Sequence, residues 1–214
     1  MSIDFDHAFD RLPLVAILRG LTPAEAEPIG NALVESGFTL IEVPLNSPDP
    51  LDSIARLSRR LAGRAIVGAG TVLSSDEVAE VKRAGGSLIV SPDCAPAVIE
   101  AAVAVGLVSI PGVATVTEAF IALRHGAHAL KLFPAEASTP AALAAMRAVL
   151  PPATRILPVG GIDRDGLQAW RDGGASGFGL GSALYRPGRS AAEVRARAAG
   201  LAGAWRAAQG SALS

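Results

Sequence analysis

The chain alternates short apolar runs with helical segments, and this alternation is the strongest constraint on its fold. The eight apolar runs are Leu14–Leu18, Leu40–Val43, Ala65–Gly68, Leu88–Val90, Leu107–Ile110, Ala129–Phe133, Arg155–Val159 and Gly177–Leu180. Helical segments follow near 23–35, 49–62, 74–84, 95–105, 115–125, 140–149, 163–172 and 191–209. Because the runs are almost continuously apolar rather than alternating, they are typical of parallel strands that are covered on both faces.

Eight strands that alternate with eight helices predict an α/β fold, namely a single-domain (β/α)8 TIM barrel over residues 1–214. With 214 residues, the chain is near the short end for that fold. An open doubly wound sheet is the main alternative, but it does not need eight strands. No Gly-x-Gly-x-x-Gly motif follows the first run. We expect an N-terminal helix within residues 1–12 and a loose tail over residues 210–214.

Charge and composition argue against several kinds of partner. The net charge is −1, and no basic block predicts binding to nucleic acid or to a membrane surface. No segment approaches the roughly 20 apolar residues of a membrane span, and the N-terminus does not resemble a signal peptide. Cys94 is the only cysteine, so an intrachain disulfide is excluded. We therefore expect a soluble, cytoplasmic protein.

One of the two lysines stands in an unusual position. The chain has 19 basic Lys and Arg residues, of which Lys82 and Lys131 are the only lysines, so arginine supplies the other 17. Lys131 lies inside the apolar run Ala129–Phe133. A desolvated amine can lose its proton and attack a carbonyl, which a guanidinium cannot do. The alternative is a lysine at a strand end that extends to solvent.

Polar residues, glycines and prolines gather at the carboxyl ends of the predicted strands, where TIM barrels carry their active sites. The last two strands end in Gly160-Gly161 and in Gly181-Ser182. Such loops commonly hold a phosphate through unhindered backbone N–H groups, and Ser182 adds a hydroxyl at an expected helix start. The glycines could alternatively serve only to permit tight turns.

Glu42 is a second unexpected charge, because a carboxylate within Leu40–Val43 is costly to bury unless it is paired or functional. It could form an ion pair with Arg19 or Lys131, or it could move protons beside the amine. An amine and a carboxylate in one barrel mouth suit Schiff-base chemistry. Arg19 and Thr71 could then hold a substrate carboxylate.

Together these segments resemble the bacterial 2-keto-3-deoxy-6-phospho-sugar-acid aldolases, which are class I pyruvate-dependent lyases. The resemblance extends from about Leu12 to about Arg206. The segments that carry it are Ile17–Gly20, Ile41–Pro48, Gly68–Val72, Ser91-Pro92, Ile110–Thr115, Leu130–Pro134, Val159–Gly161 and Gly179–Ser182. Each segment is weak alone, whereas their order and spacing together are specific.

The resemblance implies a role for each matching position. Lys131 would form the Schiff base, and Glu42 would donate and accept protons. Arg19 and Thr71 would bind the pyruvate half of the substrate. The other implied contacts are Phe133 beside the imine, Pro92 at the mouth, and Gly160, Gly161, Gly181 and Ser182 around the phosphate. No cofactor and no metal is implied, and His7, His125 and His128 do not form a credible ligand set.

The second strand distinguishes two branches of this family, which act on C4 epimers. The gluconate branch usually has a Thr-Leu-Arg-Thr type sequence there, whereas this chain has Pro44–Ser47 and carries its arginine at Arg19. This pattern resembles the galactonate branch. It implies cleavage of 2-dehydro-3-deoxy-6-phospho-D-galactonate to pyruvate and glyceraldehyde 3-phosphate, by a homotrimer.

Three alternatives remain open from the sequence. The enzyme could act mainly on the gluconate epimer, it could be a phosphate-binding isomerase or synthase without imine chemistry, or it could be a sensor that binds phospho-sugars. One residue departs from the pattern, since many relatives have small neutral residues where this chain has Glu136. An added carboxylate there could weaken the binding of a phosphorylated substrate, or it could point to solvent.

Overall fold

The computed structural model describes residues 3–210, which form parallel strands alternating with helices. The strands are β1 (Leu14–Ile17), β2 (Leu40–Pro44), β3 (Ile66–Gly70), β4 (Leu88–Val90), β5 (Val108–Ile110), β6 (Gly112–Val113), β7 (Leu130–Leu132), β8 (Ile156–Pro158) and β9 (Phe178–Leu180). The helices are α1 (Phe5–Arg11), α2 (Pro23–Glu35), α3 (Pro50–Arg60), α4 (Ser75–Arg83), α5 (Pro96–Ala104), α6 (Val116–Arg124), α7 (Pro140–Arg147), α8 (Leu167–Asp172) and α9 (Ala191–Gly210). A short 3-10 turn, Ala135–Ala137, follows β7.

The strands belong to two parallel sheets. The larger sheet has the order β5-β4-β3-β2-β1-β9, and the smaller one has the order β6-β7-β8. The fifth predicted strand, Leu107–Ile110, corresponds to β5, and an additional short strand, β6, follows it after Pro111, which has no N–H to donate to a neighbouring strand. The predicted parallel α/β architecture is therefore confirmed, as sheets of six and three strands rather than as one ladder of eight.

Backbone hydrogen bonds cross both places where the sheets meet. At one, the Lys131 N–H donates to the Pro111 carbonyl at 2.9 Å, and the His128 N–H donates to the Ser109 carbonyl at 2.9 Å. At the other, Val159 and Gly179 form a parallel bridge. The two sheets are thus joined through main-chain contacts on either side.

Helix α1 covers the amino ends of the strands. Its Phe5 and Phe9 pack in one buried cluster with Val15, Leu40 and other inward-facing strand residues. The Thr39 hydroxyl, just before β2, donates to the Ala8 carbonyl at 3.0 Å. With this end closed, the carboxyl ends of the strands are the open end.

Capping residues fix where several helices begin after those carboxyl ends. Ser74 accepts from the Glu77 N–H while the Glu77 carboxylate accepts from the Ser74 N–H, and Thr115 and Glu118 make the same pair of bonds. Such capping boxes satisfy backbone donors that a helix start leaves unpaired. They define the lengths of the loops that lie over the open end.

Two local predictions differ from the structure. Helix α8 begins at Leu167 rather than at 163, because the Asp163 carboxylate accepts from the Gly166 N–H and forms a turn instead. No regular helix begins at Ser182; the N–H groups of Leu184 and Tyr185 both donate to the Gly181 carbonyl in a single turn.

The chain ends also differ from expectation. Helix α9 extends to Gly210, which the sequence had placed in a loose tail, whereas residues 211–214 lie outside the described residues. Between residues 3 and 210, no helix is both long and apolar enough to cross a membrane.

Candidate active site

Lys131 and Glu42 meet in the interior of the strand assembly, from β7 and β2. Lys131 is 7 % exposed and Glu42 is 2 % exposed, so both charges are largely removed from water. Both line a cavity of about 10 Å³, which we call the deep cavity; its other walls are the apolar residues Val15, Ile17, Val90, Ile110, Leu157, Val159 and Gly179. The alternative of a lysine that extends to solvent is therefore wrong.

Burial shifts the pKa values of both groups towards neutral pH. It lowers the pKa of Lys131, an effect that Arg19 adds to and Glu42 opposes. It raises the pKa of Glu42 from 4.5 to about 7, although Lys131 and Arg19 both oppose this rise. The amine can therefore lose its proton more readily than an exposed lysine, and the carboxyl group can take up or release a proton near pH 7.

Glu42 is held by packing rather than by hydrogen bonds. Its Oε2 atom is buried and has no hydrogen-bond partner among the described residues. A side chain at Gly70, at the end of the neighbouring strand β3, would collide with both carboxylate oxygens of Glu42. The absence of a side chain at residue 70 thus creates the space that the carboxylate fills.

Phe133 contacts Lys131, and Pro92 lies against the strand next to it. The Nζ atom of Lys131 is 4.3 Å from the centroid of the Phe133 ring, which is within the range of a cation–π contact. Gly112 is the β6 partner of Lys131, and a side chain there would meet the Pro92 carbonyl. The half-buried Pro92 thus packs directly over the strand beside the lysine.

Arg19 and Thr71 follow the ends of β1 and β3. Arg19 is exposed, and its Nη1 atom donates to Asn46 Oδ1 at 2.7 Å, which ties the end of β1 to the loop after β2. Thr71 has a φ of 58°, in the left-handed region that β-branched residues rarely adopt. Strained backbone of this kind is common at binding sites, where it fixes the direction of a side chain.

A wider cavity of about 470 Å³, the mouth cavity, lies above the deep cavity at the open end. The two share Ile17, Val159 and Gly179 in their walls. Six predicted residues line the mouth cavity: Arg19, Phe133, Gly160, Gly161, Gly181 and Ser182. Thr71 and Pro92 line neither cavity. The structure thus brings together the predicted amine, carboxylate and glycine loops.

The two glycine loops differ in their backbone. Gly160 and Gly161 have φ values of 109° and 62°, which a residue with a side chain would adopt only under strain. Gly181 has open space where a side chain would lie, next to the exposed Ser182. Both loops therefore present accessible backbone to the mouth cavity.

Sequence reasoning missed other residues that line the mouth cavity. Tyr185, Arg186 and Pro187 come from the turn after β9, and Glu136 comes from the 3-10 turn after β7. None lies at a strand end, which is the only signal the sequence offered for placing a residue in the site. Glu136 is the exception, because its charge in the loop after Lys131 had already placed it near the phosphorylated substrate, with a side chain that points to solvent as the alternative.

A larger cavity of about 790 Å³ adjoins the mouth cavity next to α9 and shares Ser182 and Arg186 with it. Its lining includes Arg164, Arg186, Arg189 and Arg197, but neither Lys131 nor Glu42. We therefore place the candidate active site at the smaller cavities, where the buried ionisable pair lies.

His125 and His128 have other partners. His125 Nδ1 lies 2.7 Å from Glu100 Oε1, and His128 Nδ1 accepts from the Ser109 N–H. Within residues 3–210, no group of three or more His, Cys, Asp or Glu residues is placed to hold a metal ion.

Comparison with known proteins identifies the family. The model of the KDPG and KHG aldolase family matches residues 5–193. The chain is 49 % identical over 186 residues to a probable 2-dehydro-3-deoxy-6-phosphogalactonate aldolase of Rhizobium meliloti (strain 1021), covering 87 % of this chain and 88 % of that protein. It is 44 % identical over 196 residues to the 2-dehydro-3-deoxy-6-phosphogalactonate aldolase of Escherichia coli (strain K12), covering 92 % and 96 %.

A solved structure described as native KDPGal agrees with this chain over almost its whole length. It superposes with a TM-score of 0.92 at 42 % identity, covering 98 % of this chain and 99 % of that one. The sequence matches and this shared fold lead to the same conclusion: the chain belongs to the KDPG and KHG aldolase family.

Proposed function

We propose that this chain is a class I aldolase, a carbon–carbon lyase, that cleaves 2-dehydro-3-deoxy-6-phospho-D-galactonate to pyruvate and D-glyceraldehyde 3-phosphate. The relatives at 49 % and 44 % identity carry this substrate in their names. The observation that carries the chemistry is the buried pair of Lys131 and Glu42, whose pKa values are shifted towards each other. An amine of lowered pKa is the nucleophile that imine formation with a keto acid requires.

The reaction begins at the amine. The unprotonated Lys131 attacks C2 of the keto acid, and loss of water from the carbinolamine leaves an iminium. Glu42, directly or through a water, accepts the proton of the C4 hydroxyl as the C3–C4 bond breaks. The electron pair of that bond flows into the iminium and forms an enamine, while C4 becomes the aldehyde of glyceraldehyde 3-phosphate.

The second half of the reaction releases pyruvate. Protonation of the enamine at C3 creates the methyl group and regenerates the iminium. Water then hydrolyses the iminium, which frees pyruvate and the Lys131 amine. The iminium itself is the electron sink, so this route uses no cofactor.

The remaining site residues bind the two ends of the substrate in this proposal. Arg19, which also bonds Asn46, holds the carboxylate of the pyruvate half together with Thr71. Phe133 packs beside the imine, and Pro92, in the loop after β4, helps to line the mouth of the barrel. The phosphate contacts the backbone of Gly160, Gly161 and Gly181 and the hydroxyl of Ser182, as at the glycine loops of other phosphate-binding barrels.

We further propose that the strands form one closed (β/α)8 barrel and that the chain is a single domain. The strands β5 and β6, separated only by Pro111, count once in such a barrel, which leaves eight strands. Support comes from the two places where the sheets meet: Lys131 and Pro111 share a backbone hydrogen bond at one, and Val159 and Gly179 form a bridge at the other. The matched family model covers residues 5–193 without a division.

A homotrimer is also proposed, since members of this family are usually trimers. Light scattering of the purified protein tests it, because a trimer has three times the chain mass of 21.7 kDa. A cytoplasmic location stays a prediction.

Paired kinetics test the proposed function. The galacto and gluco epimers of the substrate are supplied separately, and released pyruvate is followed by its reduction to lactate. We expect faster turnover of the galacto epimer, loss of turnover in Lys131→Met, and retained turnover in Lys82→Met, which changes the exposed lysine of α4. Preference for the gluco epimer would contradict the substrate assignment alone, whereas turnover by Lys131→Met would contradict the mechanism.

A further inference from the structure

The Glu136 carboxylate lies against the glycine loop after β8. A side chain at Gly160 would collide with the Oε2 and Cδ atoms of the Glu136 carboxylate, and one at Gly161 would come within 2.7 Å of its Cγ atom. The two missing side chains thus leave a space that Glu136 enters. The glycine pair does more here than permit a turn.

The backbone around Glu136 holds it in this place. The Ala135 N–H donates to the Val159 carbonyl at 2.9 Å, which attaches the 3-10 turn to the end of β8. Within the turn, the Ala137 N–H donates to the Pro134 carbonyl at 3.1 Å and the Ser138 N–H donates to the Ala135 carbonyl at 3.0 Å. The main chain therefore fixes residue 136 beside the loop, and the side chain reaches the loop from there.

The charge of Glu136 contrasts with the other charges of the mouth cavity. Arg19 and Arg186 line the same cavity, and both suit an anionic substrate. Glu136 forms no ion pair within the described part of the chain. Its side chain is exposed, so it can turn outward into water without losing a buried contact.

We propose that Glu136 is a specificity-determining residue whose carboxylate competes with the substrate phosphate for the Gly160-Gly161 loop. This inference rests on the proposed function, which places the phosphate at that loop. Without substrate, the carboxylate occupies the loop; with substrate, the phosphate displaces it. The loop then binds phosphate more weakly than it would without the Glu136 carboxylate. The phosphorylated aldehyde consequently leaves more readily.

The effect is specific to the phosphorylated half of the substrate. Pyruvate has no phosphate, so its imine with Lys131 forms without displacing Glu136. A like charge a few ångströms from a phosphate in a solvent-exposed mouth weakens binding by roughly 3- to 10-fold and is screened by salt.

Glu136→Gln tests the proposal, with Glu80→Gln as a control that removes the same charge from the exposed face of α4. The probes are inorganic phosphate, as an inhibitor of cleavage, and the phosphorylated substrate. We expect Glu136→Gln to lower both the inhibition constant of phosphate and the KM of the substrate by roughly 3- to 10-fold at low salt. At high salt the difference from wild type should shrink, and Glu80→Gln should match wild type throughout.

Two results would overturn the inference. One is a raised KM in Glu136→Gln, since Glu136 would then help to bind the substrate. The other is an equal fall of KM in Glu80→Gln. Glu136 would then act only through the net charge of the protein and not through its place at the loop. Borohydride trapping of pyruvate on Lys131 is carried out in the same variants. If the proposed function is wrong, no adduct forms on Lys131; if only the role of Glu136 is wrong, the adduct still forms.

Discussion

The carboxylate of Glu42 fills the space that a side chain on Gly70 would need, and this contact between adjacent strands sets the position of the proposed proton carrier. No hydrogen bond among the described residues holds Glu42 Oε2, so packing and the nearby charges of Lys131 and Arg19 orient it. Position matters here, because a displacement of about 1 Å can cost about 100-fold in rate.

Gly70→Ala should therefore impair catalysis more than folding. Gly70 is not among the residues with positive φ, so alanine is compatible with its backbone, and the collision falls on Glu42. We expect kcat/KM to fall by roughly 10- to 100-fold with a nearly unchanged melting temperature. Gly203→Ala is the control, because a side chain there meets open space. Wild-type kcat/KM in Gly70→Ala would contradict the positioning role of residue 70.

The rate should rise with pH through about 7. Glu42 must be a carboxylate to accept the C4 hydroxyl proton, and burial raises its pKa to about 7, so the active form accumulates as pH increases through that value. The lowered pKa of Lys131 acts in the same direction, because only the unprotonated amine attacks C2. The pH profile of kcat/KM reports these groups in the free enzyme.

A comparison with Glu42→Gln shows which group causes the rising limb of the pH profile, that is, the increase of kcat/KM through pH 7. A substrate phosphate also titrates near pH 6, so any limb that survives in Glu42→Gln belongs to the substrate or to Lys131. We expect the limb near 7 to disappear and cleavage to slow by roughly 10²- to 10⁴-fold. An unchanged limb near 7 in that variant would remove Glu42 from the proton transfer.

Replacing the buried pair by apolar residues should stabilise the fold while abolishing activity. Two charges buried among Val15, Ile17 and Leu157 are costly to desolvate, and well-packed apolar replacements of such pairs are often neutral or stabilising by about 1–4 kcal/mol. Urea unfolding of Lys131→Met/Glu42→Met measures this. A double variant several kcal/mol less stable than wild type would mean that the pair holds the fold together rather than serving chemistry.

Thr71 should show a similar conflict between stability and binding. Its left-handed φ of 58° costs roughly 1–2 kcal/mol for a residue with a side chain, and glycine avoids that cost. Glycine also adds freedom to the unfolded chain, which offsets only about 0.5–1 kcal/mol of this gain, so we expect Thr71→Gly to be at least as stable as wild type. Loss of the hydroxyl should raise the KM for substrate, as measured by steady-state kinetics. A lower stability with unchanged KM would contradict a role for Thr71 in binding.

Strands and helices were largely predictable from the sequence, because a strand buried on both faces must be apolar along its length. The short strand β6 after Pro111 was not predicted, since it lies just past the predicted run Leu107–Ile110. The expected helix start at Ser182 was wrong, because one hydrogen-bonded turn on the Gly181 carbonyl already closes that loop.

The buried ionisable pair could be predicted for a physical reason: a charge inside an apolar strand has few structural explanations. The sequence could not reveal the fit of Glu42 over Gly70 or of Glu136 over Gly160, because both depend on which strands and turns become neighbours in space. Arg186 was missed for the same reason, since its loop carries no pattern that points to the mouth cavity.

Covalent trapping of pyruvate tests the central claim most directly. The protein is incubated with pyruvate, reduced with borohydride and digested, and the modified residue is located by mass spectrometry. Because Lys131 and Lys82 are the only lysines, the two outcomes are easily separated. The account predicts one reduced pyruvate on Lys131, none on Lys82, and none on any residue of Lys131→Met. A protein that turns over substrate yet carries no adduct on Lys131 would contradict it.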